Sequence, residues 1–312
     1  MACDLKDFPK KFLNYIGKNL YQNVNLRQYS NFQIGGRADF LFEASSTKQL
    51  VEAVRIAKKH SCPFYIIGGG YNIIFDDDGF RGLIIKNCAK EIKHTSEKSV
   101  EVDSGVTLKE FLKFSLEREL GGMEFLAGIP GTIGGAIYGN AGAFSKDIAS
   151  FLEKATLLDD KGERMTVSQS YFAFGYRYSI LKRTQQAVLK ASFSLVKEDQ
   201  EKIKEKIENN LEARRKKHPP LSLPCCGSYF KNPVLPSGKK VAAAVLLEQV
   251  GAKNLRVGGA AVYKGHANFI YNTGGATAKD VLQLASKLKE RVKERFGVVL
   301  EEEVIFLPAI SQ

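Results

Sequence analysis

The stretch EFLAGIPGTIGGAIYGNAGAF (Glu124 to Phe144) constrains this chain more than any other. Glycine costs extra backbone entropy on folding, so a cluster this dense needs a reason. Tight turns are one reason. The other is close approach of bare main chain to a large flat group or a phosphate. Gly128, Gly131 and Gly134 recur three apart, and Pro130 removes a donor and fixes a turn. Such spacing lets exposed backbone amides line a surface with no Cβ in the way. A second run, IIGGGYNII, sets Gly68, Gly69 and Gly70 directly after a predicted strand. Consecutive N–H groups there can form an anion nest for a pyrophosphate, although a plain hairpin turn reads as well. The run lacks the Gly-Lys-Ser/Thr ending of a phosphate loop and does not open a helix as G-x-G-x-x-G does. Two such loops in one chain favour a single extended dinucleotide site over two unrelated turns.

The chain's 312 residues suffice for two or three domains with real cores. With 44% hydrophobic and 26% charged residues and no bilayer-length apolar run, the composition is that of a soluble protein. The N-terminal residues lack the apolar core of a signal peptide and read as a short amphipathic helix, so a cytoplasmic location is expected. Five cysteines (Cys3, Cys62, Cys88, Cys225, Cys226) are odd in number, without metal-ligand spacing, and fit reduced thiols. The net charge of +12 points to acidic partners. The basic residues are spread out, and the densest run, EARRKKHPP, has no interleaved aromatics, so nucleic acid is not expected as a partner.

Along the chain, STKQLVEAVRIAKKH reads as a helix capped by Thr47, followed by strand, glycine turn, strand, loop and strand. Thr107 and Glu110 form a capping box before the next helix. KATLLDDKGERMTVS predicts a hairpin turning at Asp160 to Gly162, and AVLKASFSLVK alternates as a strand. A long polar helix, stopped by Pro219 and Pro220, marks the main domain boundary. Beyond it come helices ended by Gly251 and Gly297, and a terminal strand, VVLEEEVIFL.

FGYRYS sets Arg177 between two tyrosines, either as a stacked surface residue or as a holder of a carboxylate or enolate. CCGSYFKNP places Ser228 in a loop with no His-Asp pair about it, so a hydrolase triad is unsupported. LEEEVIFL carries three carboxylates at a strand start, of which one could point inward. None of the four histidines (His60, His94, His218, His266) has ligand spacing, and no metal is expected.

NFQIGGRADF, IGGGYNII, GMEFLAGIPGTIGGAIYGNAGAF, FGYRYS, CGSYFKNP, VGGAAVYKGHANFIYNTGGAT and EEEV occur in this order over nearly the whole chain. Together they resemble the UDP-N-acetylenolpyruvoylglucosamine reductases, also called UDP-N-acetylmuramate dehydrogenases. The resemblance implies an α+β fold, the FAD-binding fold of the vanillyl-alcohol-oxidase type in two subdomains (1–90 and 91–210), with a separate α+β C-terminal substrate-binding domain (211–312). It implies non-covalent FAD, NADPH as co-substrate, and UDP-N-acetylglucosamine enolpyruvate as the substrate reduced to UDP-N-acetylmuramate for peptidoglycan synthesis. The glycines would then bed the cofactor, and the positive charge would suit three anionic ligands.

Three residues match the family's catalytic positions. Ser228 would protonate the substrate carbon after hydride attack. Arg177 and Glu303 would polarise the carboxylate and stabilise the enol intermediate. Glu303 would then be protonated or share a proton, with a raised pKa. FAD would lie on Gly68, Gly69, Gly70, Tyr71 and Asn72, and on Gly128, Pro130, Gly131, Thr132, Gly134, Gly135, Asn140, Ala141 and Gly142. Tyr176, Lys231 and Asn232 would contact substrate and NADPH phosphates.

The sequence departs from the family pattern in three places. Tyr71 stands where serine is usual, and Glu302 where proline is usual. Between Ser192 and Glu212 there is no insertion carrying a substrate-covering tyrosine loop, which places the chain in the shorter branch. A monomer without membrane insertion is expected. Another FAD oxidase of this fold acting on a sugar or alcohol is the nearer alternative; the Ser-Arg-Glu trio, and the lack of a histidine tether in IIGGGYNII, argue against it. A non-catalytic basic nucleotide-binding protein is the other.

Overall fold

Short polar side chains start several of the helices. The computed structural model describes residues 6–17, 20–159, 161–184, 186–235 and 237–309; Cys3 and Asp160 lie outside them. Helix α1 (Phe8–Ile16) carries a proline in its first turn and ends on left-handed Gly17. Helix α2 (Thr47–Lys59) is capped by Ser46 and not by Thr47. Ser46 is the residue with extended backbone, and its hydroxyl accepts from Gln49 N at 3.3 Å. Both residues can cap, so the backbone conformation decides. Helix α3 (Leu108–Leu116) has the expected box: Glu110 N donates to the Thr107 hydroxyl, and Glu110 accepts from Thr107 N.

By Cα packing the described residues fall into two units, each built from three segments. The first comprises 6–22, 39–69 and 82–214. It holds a five-stranded antiparallel sheet in the order Arg164–Ser168, Leu152–Leu158, Ala187–Ser194, Ser99–Asp103, Ile92–His94. The strand Ala187–Ser194 alternates in sequence but is buried on both faces. Leu189 enters a core built on α1 and α2, with Phe8, Phe12, Phe42 and Val54. Val188, Ala191 and Phe193 enter a second core, with Phe111 of α3 and Ile133 and Ile137 of α4 (Ile133–Gly139). A register shift between Thr156 and Leu157 interrupts its pairing with Leu152–Leu158. A second sheet, most of it in this unit, runs Tyr21–Asn25, Arg37–Ala44, Phe80–Asn87, Phe64–Ile67, the last two strands parallel. The polar helix α5 (Gln200–Lys217) buries Ile203 and packs Ile207 and Leu211 against the second core. Full burial of one residue fits a solvated surface helix resting on a narrow apolar stripe.

The second unit comprises 23–38, 70–81 and 215–309. Its core gathers Phe32, Ile34, Ile74 and Phe230 around α6 (Ala243–Gln249) and α7 (Ala278–Phe296). Thr277 and Asp280 box the start of α7, and Asp77 accepts from Ala278 N at 2.8 Å and Lys279 N at 3.1 Å. The expected terminal strand is shorter than VVLEEEVIFL suggests. Only Ile305–Leu307 is regular, because its parallel partner, Ile73–Phe75, has three residues to offer. Among the described residues no disulfide forms, and no helix is long and apolar enough to cross a membrane.

Candidate active site

In the first unit the two glycine runs meet. A Cβ on Gly68 would collide with the Thr132 hydroxyl, so only glycine lets the end of one run lie on the start of α4. The Thr132 side chain in turn accepts from Gly135 N at 3.3 Å. Several glycines of the Glu124–Phe144 stretch serve this internal packing. A Cβ on Gly134 would stand 3.0 Å from Ser104 Cβ, and one on Gly142 would stand 2.6 Å from Lys146 O. Gly128, at φ +76°, leaves room for the Arg214 side chain. Others face space: a Cβ on Gly131 or Gly139 would meet nothing within 4 Å, and one on Gly135 would meet only the Thr132 hydroxyl. Bare, partly exposed main chain is thus presented along the first turns of α4, with Pro130 exposed at its edge.

The far end of the same stretch is committed within the protein. Asn140, left-handed at φ 44° and buried, donates to Asp147 Oδ2 at 3.2 Å and Gly175 O at 2.9 Å, and accepts from Ala149 N at 3.3 Å. Half-buried Ala141 returns its N–H to Ala136 O at 2.8 Å. The Gly175–Tyr178 turn is therefore fixed from one side by Asn140. On the other, fully buried Ser179 donates to Tyr138 O at 2.8 Å. At the head of this turn sits Arg177, itself left-handed at φ 55°, with Nη1 donating to Gly142 O at 3.1 Å and Cζ 5.4 Å from the ring of exposed Tyr176.

In the second unit the backbone brings Ser228 and Glu303 side by side. Residues 229–231 pair antiparallel with 301–303: Glu303 N donates to Tyr229 O and Lys231 N to Glu301 O, both at 2.8 Å, and Phe230 bridges Glu302. Buried Asn268 locks this pairing. It accepts from Phe230 N at 2.9 Å, donates to Phe230 O at 2.8 Å, and its carbonyl takes Tyr229 N at 2.8 Å. Gly227, at φ +75°, turns the chain into half-buried Ser228. Asn72 joins the group: its side chain donates to Glu303 O at 3.1 Å and its carbonyl accepts Ile305 N at 3.1 Å. Gly70, at φ +71°, packs on the main chain of Tyr29, where a side chain would collide, while Gly69 and Tyr71 are exposed. Burial chiefly, then the charge of Glu302, drives the Tyr229 phenol far above its usual range, so it stays neutral.

Lys231 is paired with Glu301 at 3.0 Å, and Asn232 Oδ1 accepts from Ala243 N at 3.0 Å at the start of α6. Asn268 and Arg214 escape a reading of the sequence alone. Asn268 sits in the VGGAAVYKGHANFIYNTGGAT motif but carries no sign of its partner near Ser228. Arg214 looks like one more charge in a basic helix end, and only its spacing of three from Leu211 places it on the buried side.

The chain is similar to two families of domain. Residues 38–168 match an FAD-binding domain, and residues 219–307 match the C-terminal domain of UDP-N-acetylenolpyruvoylglucosamine reductase. The UDP-N-acetylenolpyruvoylglucosamine reductase of Caldanaerobacter subterraneus is 38% identical over 304 residues, 97% of this chain and 98% of that one. The crystal structure of UDP-N-acetylenolpyruvylglucosamine reductase from Thermus caldophilus superposes with a TM-score of 0.76 at 30% identity, over 93% of this chain and 98% of that one. The glucose dehydrogenase Phl p 4.0202 matches 62% of the chain at a TM-score of 0.50 and 14% identity, a likeness of fold alone. The fold is the α+β FAD-binding fold of the vanillyl-alcohol-oxidase type, with a separate C-terminal domain.

Proposed function

We infer the function from a shown membership: the chain belongs to the UDP-N-acetylenolpyruvoylglucosamine reductase family, and it is an FAD-dependent oxidoreductase that reduces UDP-N-acetylglucosamine enolpyruvate to UDP-N-acetylmuramate. The observation that carries this is likeness along nearly the entire length of both chains. The residues fit the cofactor. Gly131, Gly135 and Gly139 leave open the volume their side chains would fill, along a helix whose first amides bond inward, Ile133 N to Val106 O and Gly134 N to Ser104 O. Gly68, Gly69, Gly70, Tyr71 and Asn72, and the stretch from Gly128 to Gly142, are assigned to it. Residues 1–90 and 91–210 are assigned to FAD binding and 211–312 to the substrate. The enzyme acts in the cytoplasm as a monomer.

FAD, reduced by NADPH, would supply a hydride to the terminal carbon of the enolpyruvyl group. Ser228 would protonate the adjacent carbon, the one that bears the carboxylate. An alcohol is a weak acid, and only a strongly basic carbanion or enolate can take its proton. Half-burial keeps the hydroxyl from being one donor among many waters. Arg177, held by its turn, faces the carboxylate with donors oriented in advance, and such preorganisation favours the charge-bearing state. Glu303 is placed by its N–H bond to Tyr229 O and acts on the same enolate. Tyr176, Lys231 and Asn232 hold substrate and NADPH phosphates.

The test is turnover of the enolpyruvyl UDP-sugar by wild type and Ser228→Ala. Wild type should consume NADPH and form muramate. The variant should still reduce its flavin while product formation drops by about two to four orders of magnitude, the scale of a lost general acid. Equal product from both would remove Ser228 from its role. A colourless protein that leaves the enolpyruvyl sugar untouched would remove the function.

A further inference from the structure

Asn268 clamps the ladder beside Ser228, and Asn268 must itself be held. Its own N–H donates to His266 Nδ1 at 3.2 Å and makes no other bond among the described residues. Asn268 is 3% exposed, and an N–H buried that deeply is costly without a partner. The bond needs a ring nitrogen that carries no proton. The loop around it is closed by its own main chain. His266 N donates to Tyr263 O and Phe269 N to His266 O, both at 3.1 Å, and Tyr263 N donates to Phe269 O at 2.8 Å.

The half-buried imidazole stands edge-on to two rings, Phe269 with centroids 4.8 Å apart and His218 with centroids 5.7 Å apart. The titratable groups about it are His218 directly after α5, Glu248 on α6 and Lys253 just beyond α6, with Tyr263 and Lys264 in its own loop. Lys253 and Glu248 pair with each other. Burial chiefly lowers the His266 pKa from 6.5, so the ring is neutral at neutral pH.

From His266 a chain of contacts leads to the proposed chemistry. Nδ1 places Asn268. The Asn268 side chain accepts from Phe230 N at 2.9 Å and donates to Phe230 O at 2.8 Å, and its carbonyl takes Tyr229 N at 2.8 Å. Tyr229 directly follows Ser228, and its carbonyl accepts Glu303 N at 2.8 Å. A proton on Nδ1 would set two donors face to face at the head of this chain.

We propose that His266 is a positioning residue for the protonation step, its bare Nδ1 seating Asn268 and, through Asn268, the ladder that carries Ser228 and Glu303. The proposal rests on the roles inferred above for those two residues. Protonation of the ring is then a release, and product formation slows as pH drops from 6.5 through the lowered value of the folded ring.

Two variants of the full-length, FAD-loaded enzyme separate this from a packing role. His266→Phe keeps a ring against Phe269 and His218 but offers no acceptor. His266→Asn gives up the ring but offers an oxygen to the N–H two residues on, the bond of an Asx turn, and does not titrate. Flavin reduction by NADPH should match wild type in both. In His266→Phe, reoxidation of the flavin by the enolpyruvyl sugar should slow about ten- to a hundredfold at every pH, with the KM for the sugar unchanged, the scale of a small misplacement of reacting groups. His266→Asn should recover most of that rate and lack the fall below 6.5 that wild type shows. Amide hydrogen exchange without substrate reads the same device apart from turnover. Protection at Asn268 and Phe230 should drop in acid for wild type and hold for His266→Asn.

The proposal is overturned if His266→Asn keeps the acid fall of wild type, which would assign it to His218 or another group. It is equally overturned if His266→Phe is the faster of the two variants, or if it raises the KM for the sugar while the rate at saturation stays that of wild type. Should His266→Phe fail to fold, the pH profile and the exchange of His266→Asn decide alone. If wild type leaves the enolpyruvyl sugar untouched, the inferred function fails, and exchange at Asn268 still decides whether His266 seats it.

Discussion

Glu303 N donates to Tyr229 O at 2.8 Å, which holds a proposed enolate-stabilising carboxyl one residue out of register from a proposed proton donor. The two segments are more than seventy residues apart in sequence. Asn268 stitches the same ladder from the opposite side.

Replacing Asn268 by alanine leaves Phe230 N–H and C=O buried without partners. Unfolding by urea should show a loss of about 1–3 kcal/mol, with the slope of the transition unchanged. A variant as stable as wild type would mean that water or a neighbour replaces the amide, and that the ladder needs no such clamp.

Gly68 and Gly135 should respond oppositely to alanine. Gly68→Ala drives a methyl group into Thr132, so the apo-protein should melt at a lower temperature. Gly135→Ala meets only an ordinary contact in the first turn of a helix, and alanine there gains up to about 1 kcal/mol of helix propensity. Its apo-protein should melt no lower than wild type, yet it should lose FAD more readily on dilution or gel filtration. Undiminished FAD affinity would take the start of α4 out of the cofactor's bed.

His266 gives stability a pH dependence of known sign. Burial first, and the charge of Lys253 after it, lower its pKa from 6.5. The folded imidazole stays neutral where the unfolded one takes a proton. Its contribution is therefore complete above 6.5 and is lost as pH falls from there through the lowered folded value. Because His60 shifts in the same direction, the comparison is between proteins. Urea stabilities measured across this window should fall less steeply for His266→Gln than for wild type. Parallel curves would show that the ring is protonated equally in both states.

Local chemistry was legible where it is decided locally. Thr107 and Glu110 marked a helix start because a capping box needs only four neighbouring residues. Gly297 marked a helix end for the same reason. The cap of α2 falls on Ser46 and not on the expected Thr47, because either hydroxyl can cap and the deciding backbone angle is imposed from outside. The last strand is shorter than its sequence suggests because a strand's length is set by its partner, and Ile73–Phe75 lies over two hundred residues upstream. The glycine stretch was recognised as special, but its residues divide between internal packing and open surface according to Ser104, Lys146 and Arg214, none of which periodicity can place. Ser228 and Glu303 were picked out by motif. Their adjacency comes from a hydrogen-bond register that no spacing in the sequence encodes.

The second unit borrows two early loops of the chain, and these bring Phe32, Ile34 and Ile74 into its core together with the strand that seats Ile305–Leu307. A gene fragment starting at residue 215 would thus encode a hollowed body with an orphaned edge. Recombination could not swap it as a C-terminal cassette, and ribosomes must finish the last helix before the first loops find their place.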